Sequence, residues 1–137
     1  MANIGFVIAK FNPEITSLME EEAVLEAKKR SAKIAAIVHV PGVFEIPFGT
    51  QLLLKRKDID AVVTLGAVIK GATGHDELIS HAVAKELLDL SLQEKKPVSL
   101  GILGPKISWQ QAKARAKPYA KRAAIAAIEL CELKRKI

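Results

Sequence analysis

One short loop combines residue types that could bind an anion and move a proton. Residues 70–75, with the sequence KGATGH, follow an apolar run and precede a segment with helical spacing. Gly71 and Gly74 free the backbone to present its N–H groups, and the N-terminus of a helix attracts anions. An ordinary capped turn has the same composition, and the glycine-rich pattern of a P-loop is absent. From the loop alone both interpretations stay open.

Histidine can gain or lose a proton near neutral pH, so His75 at the mouth of a site could transfer protons. A capping or surface role is the alternative for a lone histidine. His39 lies inside an apolar run, and His81 follows His75 on the same predicted helix. His81 is six positions after His75, which places the two about 120° apart around the helix axis and does not suit a shared zinc ion. We therefore interpret His39 and His81 as structural.

Four further side chains could contact a ligand. Phe11 and Phe44 end two different apolar runs, where each ring could clamp a planar ligand or pack a helix onto a sheet. Glu45 could bond a ligand hydroxyl or favour the N-terminus of a helix. Arg115 could form a fork on a phosphate or remain a solvated cation.

These residues must be positioned by four strands and four helices. The strands are predicted from short β-branched apolar runs without polar alternation, typical of a buried parallel sheet: residues 4–9, 34–40, 61–69 and 98–103. Asn12 is expected to cap the first helix, which begins at Pro13. The other helices are predicted over about 46–56, over about 76–93 and from Ser108, with a break or kink at Pro118.

The alternation predicts an α/β fold, a single domain over residues 1–137 with three α/β/α layers and a four-stranded parallel sheet. At 137 residues the chain fits one domain. Ligands of such sheets bind at the carboxyl ends of the strands. Phe11, Phe44 and the loop before His75 all fall at such ends.

Composition excludes several classes of protein. With 50% hydrophobic and 26% charged residues, the chain is neither disordered nor fibrous. No apolar run reaches the ~20 residues that cross a bilayer, and no signal peptide is visible, so we expect a cytoplasmic protein without a membrane partner. Cys131 is the only cysteine, which excludes an internal disulfide and a thiolate metal cluster.

The net charge of +6 raises the question of nucleic-acid binding. However, the basic residues of the last quarter alternate with alanines, a pattern typical of a solvated helix face. Aromatic residues make up 4% of the chain and leave few rings for base stacking. We expect no nucleic-acid partner.

The order of several motifs resembles the 6,7-dimethyl-8-ribityllumazine synthase family, and the chain is similar to its archaeal members. The blocks are Phe11-Asn12, 40–47 (VPGVFEIP), 65–75 (LGAVIKGATGH), 97–101 (PVSLG), and the pairs Gln111-Ala112 and Arg115-Ala116. The resemblance implies a flavodoxin-like fold and a transferase of riboflavin biosynthesis. This enzyme condenses 5-amino-6-(D-ribitylamino)uracil with 3,4-dihydroxy-2-butanone 4-phosphate, without a metal or an organic cofactor.

The resemblance also implies a role for each matching position. His75 would transfer protons, and Leu100 and Arg115 would reach the site from a neighbouring subunit. The aminouracil would contact Phe11, Val43, Phe44, Glu45, Ala67, Val68, Ile69 and Leu100, and the butanone phosphate would contact Ala72, Thr73 and Arg115. Leu100 replaces an aromatic residue that is often found there, and Gly74 stands where Thr or Glu is common.

In this family the active sites lie between subunits of a pentamer. In the family, an insertion in the connection between the last two helices blocks the assembly of pentamers into a shell. Here the predicted connection, residues 115–121, is short and carries no such insertion. We therefore expect a homo-oligomer of pentamers that closes into a 60-subunit icosahedral shell. Two alternatives remain. One is an archaeal-type riboflavin synthase, which joins two lumazine molecules on the same fold. The other is a non-catalytic flavin or lumazine carrier that mainly forms a shell.

Overall fold

Strands and helices alternate along the whole chain in the computed structural model, which describes residues 1–137. The strands are β1 (Asn3–Ala9), β2 (Lys33–Val40), β3 (Ala61–Ala67) and β4 (Val98–Leu103). The helices are α1 (Pro13–Lys29), α2 (Ile46–Leu54), α3 (His75–Glu94) and α4 (Trp109–Lys136), and a 3-10 turn at Val43–Glu45 precedes α2. None of these helices is both long enough and apolar enough to span a bilayer.

The four strands form one parallel sheet in the order β2-β1-β3-β4. Helices α1 and α4 pack together on one face, and α2 and α3 cover the other. The helices change face because the chain moves from β1 to β2 in one direction and then crosses back to β3, while each crossover keeps the same right-handed sense. The predicted three-layer α/β/α fold is confirmed.

The central strand β1 shows how the apolar runs build two cores. Ile4, Phe6 and Ile8 enter the core on the α1 and α4 side, whereas Val7 and Ala9 enter the core on the α2 and α3 side. Alternate residues of a strand point to opposite faces, so a run without polar residues fills both layers. Each fully buried large side chain contributes about 1.5 to 3 kcal/mol of transfer free energy.

The edge strand β2 departs from the prediction that all four strands are buried on both faces. Val40 is the one buried residue of this strand, and Ile37 is 41% exposed. The strand is hydrogen-bonded to a neighbouring strand on one side only. An apolar strand that stays uncovered is typical of a surface that another subunit contacts.

Helix α4 corrects one of the two outcomes expected at Pro118, a break, because it runs from Trp109 to Lys136 without interruption. Residues 115–121 are therefore helical and do not form a connection between two helices. Its start agrees with the prediction: Ser108 forms a capping box with Gln111. A row of buried alanines holds the helix against α1 and the sheet on both sides of the proline: Ala112, Ala116, Ala120, Ala123, Ala124 and Ala127. Packing of this row offsets the hydrogen bond that proline cannot donate.

Two other boundaries differ by two residues from the sequence prediction. Strand β3 ends at Ala67 rather than Ile69, and α2 ends at Leu54 rather than Arg56. The earlier end of β3 leaves Val68 and Ile69 in the loop beyond the sheet. This places them at the carboxyl end of the strand.

Candidate active site at the carboxyl edge of the sheet

The chain adds β2 on one side of β1 and then adds β3 on the other side, so the direction in which strands are added reverses between β1 and β3. The chain leaves β1 towards α1 on one face and leaves β3 towards α3 on the other, so no helix covers the gap between the two strand ends. Open parallel sheets bind ligands at such a switch point. Here the gap is a cleft of about 330 Å³.

The cleft is built from four segments that are distant in sequence. They are the residues after β1, the turn at residues 42–45, the end of β3 with the loop that follows it, and the first turns of α3. The structure brings together eight of the residues that the sequence predicted: Phe11, Val43, Phe44, Glu45, Ala67, Val68, Ile69 and His75. The lining also contains Asn12, Gly42, Gly71, Asp76 and Ile79.

A wider depression of about 700 Å³ lies elsewhere, between α1 and the uncovered edge of β2. Its lining mixes charged side chains of α1, such as Glu20 and Lys28, with Leu25 and Ile37. None of the predicted site residues contributes to it. The depression follows the uncovered edge strand, whereas the smaller cleft combines aromatic, acidic and histidine side chains, so we take the cleft as the candidate site.

The two aromatic rings of the cleft are largely uncovered. Phe11 is 70% exposed and Phe44 is 68% exposed, although each follows a strand whose last residue is buried. A phenylalanine that packs a helix onto the sheet would lose most of its accessible surface. The structure therefore favours a ligand or a neighbouring subunit, rather than this chain's own helices, as the partner of both rings.

Glu45 lies at the start of α2, but its side chain makes no capping hydrogen bond. The carboxylate lines the cleft and has no ion pair or hydrogen bond within the chain. Its Oε1 lies near Gly42, where an added Cβ would be 3.2 Å from that oxygen. Both roles considered for Glu45 fit this position, because the carboxylate lines the cleft and also lies at the N-cap of α2, where the helix dipole favours a negative charge.

The loop before α3 carries unpaired backbone donors. No backbone N–H from residue 71 to residue 76 donates to another backbone group, and the first such bonds of α3 come from Glu77 and Leu78 to the Gly74 carbonyl. Gly74 has φ of 74°, a left-handed conformation that costs a non-glycine residue roughly 1 kcal/mol or more. Free N–H groups and the helix dipole make this loop suitable for an anion, and we refer to residues 70–74 as the anion loop.

Four predicted residues do not line the cleft of a single chain. Ala72 and Thr73 lie in the loop between Gly71 and His75, which do line it, and both are exposed. Leu100 lies on the edge strand β4, where it pairs with Thr64 and is 44% exposed. Arg115 is an exposed residue of α4.

The charges around the cleft are unbalanced. Glu45 and Asp76 line it, but no lysine or arginine does. A phosphate group in this cleft would meet two carboxylates and would need a cation from outside the chain's own lining.

Asn12 corrects the predicted cap of α1. It occupies the N-cap position, but its side chain makes no capping bond, and its φ of 62° is left-handed. Its Nδ2 instead donates to the Ala67 carbonyl at 3.3 Å. The bond joins the ends of β1 and β3 across the switch point, and asparagine is one of the few residue types that tolerate the left-handed conformation.

The remaining histidines and the cysteine lie outside the cleft. His39 Nε2 bonds Glu20 Oε1 at 2.7 Å on the surface, and His81 is exposed on α3. Burial raises the pKa of the Cys131 thiol, which keeps it protonated and a poor nucleophile. No three His, Cys, Asp or Glu side chains are grouped so that they could hold a metal ion.

Comparison with known proteins agrees with the resemblance found in the sequence. A family model described as 6,7-dimethyl-8-ribityllumazine synthase matches residues 1–135. A protein of that name from Metallosphaera sedula is 50% identical over 127 residues, which cover 93% of this chain and 84% of the relative. Another from Pyrobaculum arsenaticum is 44% identical over 135 residues, with 98% and 90% covered. A third, from Staphylothermus marinus, is 50% identical over 123 residues, with 90% and 82% covered.

A nearly full-length family match and these identities lead to one conclusion. The chain belongs to the 6,7-dimethyl-8-ribityllumazine synthase family. The family resemblance predicted from the ordered motifs is confirmed.

We predict that the Asn12 bond contributes to stability. Asn12→Ala should lower the free energy of unfolding by about 2 kcal/mol, because alanine is strained at positive φ and loses the bond to Ala67. Asn12→Gly loses the bond without that strain and should cost about half as much. Denaturant unfolding of the three proteins measures the order. If glycine is no better than alanine, the left-handed conformation is not important here.

Proposed function

We propose that this chain is a lumazine synthase, the transferase that joins 5-amino-6-(D-ribitylamino)uracil and 3,4-dihydroxy-2-butanone 4-phosphate to form 6,7-dimethyl-8-ribityllumazine. The observation that carries the proposal is the cleft at the switch point, in which exposed aromatic rings, a free carboxylate, His75 and a loop of free N–H groups come together. The relatives that share up to half of its residues bear the name of this enzyme. The two alternatives, a riboflavin synthase and a non-catalytic carrier, are not favoured.

Each half of the cleft suits one substrate. Phe11 and Phe44 offer apolar faces to the flat aminouracil, Glu45 offers an acceptor to its ribityl hydroxyls, and Val43, Ala67, Val68 and Ile69 provide the apolar wall. The free N–H groups of residues 71–76, with Ala72 and Thr73, suit the phosphate of the second substrate. Two reactants held side by side gain a large effective concentration, so positioning would provide much of the catalysis.

His75 is the proposed proton-transfer residue. Condensation of an amine with a ketone, loss of phosphate and loss of water all require protons to move between nitrogen, carbon and oxygen atoms. His75 begins α3, directly after the anion loop, and its exposed side chain lines the cleft. This position supports a role for His75 as the acid and base group that serves both proposed substrates.

Arg115 is the proposed second phosphate ligand, supplied by a neighbouring subunit. The cleft of one chain contains carboxylates and no cation of its own, while Arg115 is exposed on α4 and outside that cleft. A guanidinium can neutralise the phosphate and bond it in a bidentate way. Leu100 would close the aminouracil side across the same boundary.

The exposed apolar surface supports an oligomer. Large side chains of α2 and α3 are more than half exposed, together with Phe11 and Phe44 at the cleft: Phe48, Leu52, Leu78, Leu88 and Leu92. Monomeric proteins rarely leave so many large apolar side chains uncovered. Repeated contacts between unlike faces can close into a ring. From the resemblance to the family we propose that this ring is a pentamer and that twelve pentamers form a 60-subunit shell.

We propose a cytoplasmic enzyme that needs no added metal or cofactor. The single cysteine suits a reducing compartment. The activity is tested by mixing the purified protein with both substrates and recording lumazine fluorescence and released phosphate. We expect both signals to persist in EDTA. Absence of lumazine with both substrates present would refute the proposed function, and restoration by zinc or magnesium after EDTA would refute the metal-free reaction.

We predict that His75→Ala lowers kcat by at least about tenfold, while the KM for the butanone phosphate changes little, since proton transfer acts in the transition state. Steady-state kinetics between pH 6 and pH 8 measures the effect. His81→Ala is the matched control, because His81 is exposed on the same helix outside the cleft. Unchanged turnover of His75→Ala across this range would remove His75 from the reaction.

We predict that Arg115→Ala mainly raises the KM for the butanone phosphate, by roughly ten- to 150-fold, since a charge-assisted bond contributes about 1.5 to 3 kcal/mol. Arg122→Ala is the control: Arg122 is exposed on the same helix and lies over the Tyr119 ring. An unchanged KM would exclude Arg115 as a phosphate ligand.

The same two variants test whether the site is shared between subunits. Mixed oligomers made by refolding His75→Ala together with Arg115→Ala would contain some sites with both wild-type residues. If Arg115 comes from the neighbour, random mixing restores about a quarter of the sites. If both residues act within one chain, no site is restored. Light scattering of the wild type checks the assembly, and a fully active monomer would refute the shared site.

A further inference from the structure

Asp76 is a buried acid of the cleft for which the proposed reaction gives no role. It is 5% exposed, follows His75 directly and lines the cleft. Burying a carboxylate is costly unless hydrogen bonds compensate it. Its Oδ2 accepts a hydrogen bond from the backbone N–H of Lys106 at 2.9 Å.

That bond joins two loops at the carboxyl edge of the sheet. Lys106 lies in the segment that leads from β4 to α4, and Asp76 lies in the first turn of α3. The Lys106 Nζ also lies 3.4 Å from Glu77 Oε1, the next residue of α3. The first turn of α3 therefore binds both the backbone N–H and the side-chain ammonium of Lys106.

The same segment holds the other end of the anion loop. Val68 donates its N–H to the Leu103 carbonyl at 2.8 Å, and Lys70 donates to the Ile107 carbonyl at 2.8 Å. Between Lys70 and Asp76 the chain makes no backbone hydrogen bond from its own N–H groups. The anion loop is thus a span of free backbone fixed at both ends to the segment after β4.

Gly104 shows how closely the two loops approach. Its φ is 112°, and a Cβ there would lie 2.4 Å from the Val68 carbonyl oxygen. Any larger residue would separate the strand end from the segment after β4. The contact between Gly104 and Val68 lies before the loop that carries the free N–H groups, and the bond between Lys106 and Asp76 lies after it.

We propose that Asp76 is a positioning residue for the phosphate half of the site. Its carboxylate holds the Lys106 N–H and thereby sets the distance between the start of α3 and the segment after β4. Without this bond the loop keeps its Lys70 anchor at one end, but at the other end only the exposed Lys106–Glu77 ion pair joins the start of α3 to the segment after β4. The N–H groups of the loop are then held less closely together. This inference rests on the proposed function, because the readout of positioning is the binding of the butanone phosphate.

Steady-state kinetics of Asp76→Ala and Asp76→Asn tests the proposal. Alanine removes the acceptor, and we expect the KM for the butanone phosphate to rise about tenfold with a smaller change in kcat. The asparagine Oδ1 can accept a hydrogen bond from the same N–H, so the KM of Asp76→Asn should stay close to the wild-type value. Asp89→Ala is the matched control, since Asp89 is an exposed acid of the same helix that pairs with Lys85.

Two kinetic outcomes would overturn the proposal. An unchanged KM in Asp76→Ala would show that the bond does not position the loop. Equal losses of kcat in both variants would show that the negative charge itself acts in the reaction. If Asp76→Ala does not fold, we expect the same rise in KM for Asp76→Ser, because the shorter serine side chain does not reach the Lys106 N–H.

Hydrogen exchange followed by mass spectrometry separates this inference from the proposed function. Peptides that contain the bonded N–H groups of Val68, Lys70 and Lys106 should exchange faster in Asp76→Ala than in the wild type, and at the wild-type rate in Asp76→Asn. This readout does not depend on activity. If the wild type forms no lumazine, the proposed function fails while the exchange pattern still tests the anchor. Wild-type exchange in Asp76→Ala would refute the anchor whether or not the enzyme is active.

Discussion

A phosphate group cannot be held in a cleft whose charged side chains are carboxylates unless other groups neutralise it. In this chain Glu45 and Asp76 line the cleft, and no lysine or arginine does. The free N–H groups of residues 71–76 supply part of the compensation. The remainder must come from outside the lining, and this constraint connects the proposed phosphate site with the proposed oligomer and with Arg115 on α4.

The apolar surface leads to the same conclusion by a different route. Edge strand β2 remains partly uncovered, and the outer faces of α2 and α3 expose leucines and Phe48. A chain of this size has enough apolar residues to fill two cores and still leaves large ones in water. In the proposed oligomer, association of subunits buries this surface and also supplies Arg115 to a neighbouring cleft, so a single process completes both the packing and the proposed site.

Elements of secondary structure were predictable because their signals are local. The apolar runs located all four strands, and the capping pair Ser108 and Gln111 marks the start of α4. The expected break at Pro118 does not occur, because the local cost of proline is offset by a row of alanines that packs against distant parts of the chain. Asn12 was also interpreted wrongly: its sequence position suits a cap, but its side chain bonds a carbonyl 55 residues away.

The sequence by itself determined the fold class, the family and the residue types of the site, because motif order and strand periodicity are properties of the chain. Eight of the predicted residues meet in one cleft for the reason that the carboxyl ends of parallel strands meet at one edge. The family resemblance already led us to expect Leu100 and Arg115 outside the chain's own cleft. Tertiary structure alone decided that Ala72 and Thr73 do not line it and that the buried Asp76 binds the segment after β4. Such relations depend on distances between elements that are far apart in sequence, and no local pattern encodes those distances.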